Sequence, residues 1–273
     1  MSMQEQTRPR EANGKAEAAR RLIQARLARV EAEHGVRILY AAEGGSRSWG
    51  YAAPDSDYDV RFVYLRPAAW YEAGGQRDVI ELPLADGLDI SGWELRKALR
   101  LTLGGNAALL EWLASPQVYR QHAAACELLR GLTAAHFAGE AAYWHYLAVA
   151  RKNYRGRKLE QQLRLKKYLY VLRPLLAAQW VQTRRSMPPL ALAELAGQTL
   201  GDAGLRAELA GLLALKSAGA APEYGPATPG LQDYIDSAMQ AYEAAARPRR
   251  HSDWTRADAL LEQARLAVGE FSF

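Results

Sequence analysis

Two short stretches carry residues whose types and spacing can do chemistry. The first is Glu43-Gly44-Gly45-Ser46-Arg47-Ser48-Trp49-Gly50. It follows a segment that reads as a strand and can open a short helix, and glycines there let backbone amides come close to an anion. The second begins about ten residues after Ser46, where the chain enters a strand as Pro54-Asp55-Ser56-Asp57-Tyr58-Asp59-Val60. Side chains two apart in a strand point to one face, so Asp57 and Asp59 converge. Two ionised carboxylates about 4 Å apart repel by about 4 kcal/mol at an effective dielectric near 20. A shared cation relieves that repulsion, and oxygen-only ligands in an open site favour magnesium or manganese.

These residues admit other readings. Asp55-Ser56-Asp57-Tyr58-Asp59 opens like an EF-hand calcium loop, but Val60 stands where that loop needs glycine and Arg66 where it needs a bidentate glutamate. Arg61 shares the strand face of Asp57 and Asp59. Meeting a phosphate and pairing with one of those carboxylates are both open to it, and no catalytic role is assigned. The five histidines, His34, His122, His136, His145 and His251, show no pair at metal-ligand spacing. Trp49 lies inside the turn, where packing under the short helix is the plainer reading.

The elements that must position these residues follow from hydrophobic periodicity. Lys15 to His34 repeats apolar residues at helical spacing, which predicts an amphipathic helix packed on a sheet. Val36 to Ala42, Tyr58 to Leu65, Val79 to Leu82 and Leu88 to Trp93 read as four strands of one mixed sheet. The period turns helical at Glu94, with helices expected over Glu94 to Leu103, Asn106 to Ala114, Gln121 to Leu132, Glu140 to Arg151 and Leu159 to Arg184. Pro174 is expected to kink or split the last of these. A Pro- and Gly-rich loop at Pro222, Pro226 and Pro229 precedes two final helices near Leu231 to Ala246 and Ala257 to Val268. The expected fold is an α/β domain over residues 1–132, a mixed sheet with helices, followed by an all-α helical domain over 133–273, with the active site in the cleft between them.

Composition bounds the classes available. In 273 residues, 49% hydrophobic and 24% charged, an ordinary globular core is expected and wholesale disorder is excluded. The lone Cys126 rules out an internal disulfide framework and a Cys-based zinc cluster. A polar start and the lack of any long uncharged apolar run predict a cytoplasmic chain with no membrane partner. Arg151 to Arg185 holds eleven Lys or Arg against one acid, Glu160, within a chain of net +5. Such a segment suits an anionic partner such as a phosphate, and equally a solvated helical face.

A Gly-Ser turn, a short helix and an Asp-x-Asp strand entry together resemble the DNA polymerase β-like nucleotidyltransferase superfamily. The stretches GSRSWGYAAPDSDYDVRFVYLRP, Gly45 to Pro67, and DGLDISGWELRKAL, Asp86 to Leu99, resemble its predicted RNA-ligase-associated bacterial branch. One departure is that Glu43 and Gly44 precede the Gly-Ser pair, where the superfamily usually has an apolar residue. The resemblance implies transfer of a nucleoside monophosphate from an NTP to an acceptor hydroxyl, RNA among the candidates, with pyrophosphate release and two Mg²⁺ ions. It implies that Gly45 and Ser46, with Arg47, hold the triphosphate. It also implies a third metal-binding carboxylate on a neighbouring strand, for which Asp89 fits by position, ahead of Glu81 and Asp86. A lysine of the second domain, Lys166 or Lys167, is expected at the triphosphate, with a solvated face as the other reading. An inactive fold serving as an RNA-binding or regulatory module is the alternative function. Oligomeric state is not legible.

Overall fold

The computed structural model describes residues 3–75, 77–135, 137–155, 165–219, 228–244 and 254–269. Helix α1 (Met3–His34) leads through Gly35 into β1 (Arg37–Glu43), the one-turn α2 (Gly45–Ser48) and β2 (Tyr58–Leu65). Then come α3 (Ala68–Glu72), β3 (Val79–Glu81), β4 (Leu88–Glu94), α4 (Leu95–Leu103), α5 (Ala108–Leu113) and β5 (Val118–Gln121). The rest of the described chain is helical: α6 (Ala123–Ala135), α7 (Gly139–Arg155), α8 (Leu165–Arg184), α9 (Leu192–Thr199), α10 (Ala203–Ser217), α11 (Pro229–Ala244) and α12 (Trp254–Val268).

The strands form one mixed sheet in the order β3-β4-β2-β1-β5, with β2 and β4 parallel and the other pairs antiparallel. Alternation divides its two faces. Val60, Phe62 and Tyr64 of β2 and Leu88 and Ile90 of β4 pack with Ile23, Leu27 and Val30 of α1. Val63 and Leu65 point the other way, into a core with Leu95 and Leu99 of α4 and Leu129 of α6. Asp59 and Arg61 share that second face by the same alternation. The face is therefore charged where β2 begins and apolar where it ends.

The expected mixed sheet and its α/β setting are present, with one strand more than the four foreseen. β5 occupies Val118–Gln121, pairing Tyr40 with Gln121 and Ala41 with Arg120, and the next helix starts at Ala123 instead of Gln121. The remaining helices α7 to α11 bury their own core, including Leu147, Leu169, Leu172, Leu195 and Ile235. The division at residue 133 stays a proposal. Helix α12, from beyond it, puts Ala257, Leu261 and Ala264 into the core between α4 and α6.

Pro174 does not split α8, which runs as one helix from Leu165 to Arg184. A proline inside a helix removes the N–H that would reach the carbonyl four residues earlier. That carbonyl, on Tyr170, accepts a hydrogen bond from Asn153 Nδ2 at 3.2 Å instead. The side chain from α7 thus compensates the defect in α8. Among the described residues no helix is long and apolar enough to cross a membrane.

Candidate active site

The turn after β1 is built tightly against β2. Gly44 N donates to the main-chain oxygen of Asp59 at 2.7 Å. Gly45 has φ +56°, and a Cβ on it would lie 1.8 Å from Asp59 Oδ2. Glycine is required there twice over, for the left-handed backbone and for the space its missing side chain leaves to a carboxylate.

Parallel pairing sets Asp59 directly beside Asp89, and both side chains emerge on one face. Arg61, two residues along, joins them. Its Nη2 lies 3.0 Å from Asp59 Oδ1 and 2.8 Å from Asp89 Oδ2, and its Nη1 donates to Asp89 Oδ1 at 3.0 Å. The Arg61 hydrogen bonds hold the Asp89 carboxyl below the usual aspartate range, against partial burial. Burial disfavours the Arg61 charge, but the Asp89 and Asp59 carboxylates outweigh it, so the guanidinium is held more firmly charged than usual.

Asp57 stands at the mouth of β2, beside the Gly87 turn that precedes β4. All three carboxylates are felt by Tyr170 of α8. Burial first, then the field of Asp59 with lesser contributions from Asp57 and Asp89, pushes its hydroxyl up to about 12, while Arg61 acts in the opposite sense. Among the described residues, no three His, Cys, Asp or Glu side chains are gathered around a common centre suited to a metal ion. The donor chemistry nevertheless fits a hard cation: oxygen ligands only, with Asp59 and Asp89 already sharing one positive group.

The other expected residues divide. Ser46 is only 5% exposed, and Ser48 is the serine that lines the cleft. Arg47 donates from Nε and Nη2 to the carbonyls of Asp57 and Ser56 at 3.2 and 2.5 Å, and stacks 4.0 Å from the Tyr58 ring. It braces the loop that presents Asp57. Asp86 pairs with Arg26 at 2.9 Å, and Glu81 is exposed at the edge strand β3. Lys166 and Lys167 belong to the first turn of α8, and their side chains lie outside the described residues.

Gly44, Gly45, Asp59 and Arg61 form one end of a cleft of about 330 Å³ whose other walls include Trp93, Trp112, Tyr146, Val149, Asn153 and Tyr170. Two acids, one buried and one partly buried, support it that the sequence did not mark as functional. Glu43, 0% exposed, accepts from Asp59 N at 2.9 Å and from the Tyr119 hydroxyl. Glu111 accepts from Arg173 at 3.0 Å, from Tyr146 at 2.9 Å and from the Trp49 indole at 3.3 Å. Glu43 left a signal, a carboxylate ending an apolar strand. The Glu111 cluster left none, because its members come from four separate elements.

Comparison with known proteins meets this geometry. Residues 19–263 match the RNA repair pathway DNA polymerase beta family, RlaP. The chain belongs to that family. It is also 42% identical over 222 residues to an uncharacterized protein of Bacillus subtilis (strain 168), YcgL, covering 81% of this chain and 85% of that one. The RlaP match extends well beyond Gly45 to Leu99, the stretches that carry the resemblance. It takes in α1 from residue 19, which packs on one face of the sheet, and most of α12, which packs on α4 and α6.

Proposed function

We propose that the chain is a metal-dependent nucleotidyltransferase that moves a nucleoside monophosphate from an NTP to an acceptor hydroxyl on RNA, with pyrophosphate leaving. The observation that carries this reading is the abutment of Gly45 on Asp59, next to register-paired Asp89. Gly44, Gly45 and Asp59 line one cleft, and Asp89 stands beside Asp59 on the neighbouring strand. In this reading Asp57, Asp59 and Asp89 hold magnesium, or manganese in its place, which when bound supplies charge stabilisation at the attacking and leaving oxygens. On the same reading the triphosphate meets the Gly44-Gly45 backbone from the cleft, while Asp59 fills the side-chain space that Gly45 leaves. Asp89, the more exposed of the two paired carboxylates, would in this reading take the acceptor proton. Trp93, Trp112 and Val149 offer an apolar wall for the nucleoside, while Tyr170 faces the carboxylates.

The test is to incubate the purified chain with magnesium, each α-labelled NTP, and the RNA, protein and metabolite fractions of a cell extract. Label is expected in the RNA fraction, and lost with Asp59→Asn or Asp89→Asn. Label in another fraction would move the acceptor, and equal labelling by the aspartate variants would remove the reading. A second reading, an inactive fold that binds RNA or regulates, is favoured by Arg61 standing between Asp59 and Asp89. RNA affinity that falls steeply with salt and ignores the aspartate substitutions, without any label transfer, would establish it instead.

A further inference from the structure

Arg61 is set in its place by strand geometry. Alternation along β2 puts its side chain on the face of Asp59, and the parallel register brings Asp89 beside Asp59. One nitrogen, Nη2, touches both carboxylates, and Nη1 completes a two-pronged grip on Asp89 with a further bond to its main-chain oxygen at 2.9 Å. Such forked pairs are the stronger kind of charge-assisted hydrogen bond.

The same two carboxylates are those a bridging divalent cation would use. A magnesium ion holds its oxygens at about 2.0–2.1 Å, close to an ångström nearer than the nitrogen now between them, so the carboxylates must draw together around it. A guanidinium left beside such an ion would add repulsion of several kcal/mol at about 4 Å, even at an effective dielectric near 20. The two cations exclude each other.

We propose that Arg61 is a built-in occupant of the bridging-cation position, so that a divalent cation joins Asp59 to Asp89 only after the guanidinium has left both. Arg61 already lines the cleft with Gly44 and Gly45, so the released side chain would find its new partner there in an anionic oxygen of a bound ligand. Arg61 thereby couples loading of the cation to arrival of an anion, and until then offsets one of the two carboxylate charges. This rests on Asp59 and Asp89 as cation ligands, and not on the transfer reaction.

The experiment uses Mn²⁺ alone, titrated into the full chain by calorimetry and by the loss of its free-ion paramagnetic resonance signal. Arg61→Gln is expected to bind Mn²⁺ at least about tenfold tighter than the wild type, about 1.4 kcal/mol, and the gain should vanish in Arg61→Gln/Asp89→Asn. Arg61→Lys keeps the charge but not the fork, and should gain a few-fold, which preserves the test if Arg61→Gln does not fold. Equal or weaker Mn²⁺ binding by the folded variants, or a gain that survives Asp89→Asn, would overturn the proposal. Tighter Mn²⁺ binding without any label transfer would leave it standing while removing the nucleotidyltransferase reading. Transfer with unchanged Mn²⁺ affinity would do the reverse.

Discussion

At Gly45 a single hydrogen atom separates a working turn from a collision. A methyl group there would lie 1.8 Å from Asp59 Oδ2 on a backbone with φ +56°, and both faults act together. Gly45→Ala is expected to cost about 1–3 kcal/mol of stability and to displace Asp59, so label transfer should fall further than folding does. Chemical denaturation beside the transfer assay checks this; a variant with wild-type stability and transfer would contradict the close packing.

Glu43 works from below the same aspartate. Burial raises its carboxyl above the usual 4.5, against the hydrogen bonds from Tyr119 and from the Asp59 N–H. A proton held more tightly in the folded chain than in the unfolded one favours folding at acid pH. That contribution is lost as pH rises from the ordinary glutamate value through the raised one. Glu43→Gln removes this dependence while keeping an oxygen for Asp59 N. The denaturation midpoint of the wild type should therefore fall more across that window than the variant's does, and parallel pH profiles would rule the explanation out. Buried Glu94, also raised chiefly by burial, is common to both proteins and cancels in the comparison.

At the scale of elements, Arg173 ties the helical half to the turn. It is 3% exposed, pairs with Glu111 of α5, and lies 4.5 Å over the Trp49 ring at the end of α2. Removing one member of a buried ion pair strands the other charge, so Arg173→Met should cost about 3–5 kcal/mol. Adding Glu111→Gln should recover part of that loss. Urea unfolding of the single and double variants measures both, and a loss within about 1 kcal/mol for Arg173→Met would show that the pair is not holding the elements together.

Neither Arg173 nor Glu111 could be matched from the sequence, since 62 positions separate them and no local pattern joins them. Asp59 was legible on its strand because alternation is local, and Asp89 because its Leu-Asp-Ile setting alternates in the same way, whereas Asp57 precedes the start of β2 and is not placed by that alternation. β5 escaped for the opposite reason. Its four residues follow Pro116 with little alternation, and its strand character comes from pairing with β1. At Pro174 the local rule was sound, but Asn153 from another helix repaired the carbonyl it frees. Helices α9 and α10, not among the expected elements, carry readable signals too: Leu192, Leu195 and Ala196 at helical spacing and an Asp202 cap.

For the whole molecule, the sheet and its helices converge on one cleft, and the RlaP family match spans both. Periodicity foresaw the sheet, α1 and the last helix. It could not foresee that α12 would close the core between α4 and α6, because the choice of packing partner lies in shape and not in period. Arg151 to Arg185, the basic stretch of the sequence, includes residues 156–164, outside the described structure; the described part supplies Arg173 and Tyr170 to the cleft.

The most direct test of the central claim follows two labels on one nucleotide. The chain is incubated with magnesium, RNA and an NTP carrying its label at either the α- or the γ-phosphate. The account predicts that the α label enters RNA, that the γ label leaves in pyrophosphate, and that Asp59→Ala abolishes both. A γ label appearing in RNA, or α-label transfer undiminished by Asp59→Ala, would contradict it.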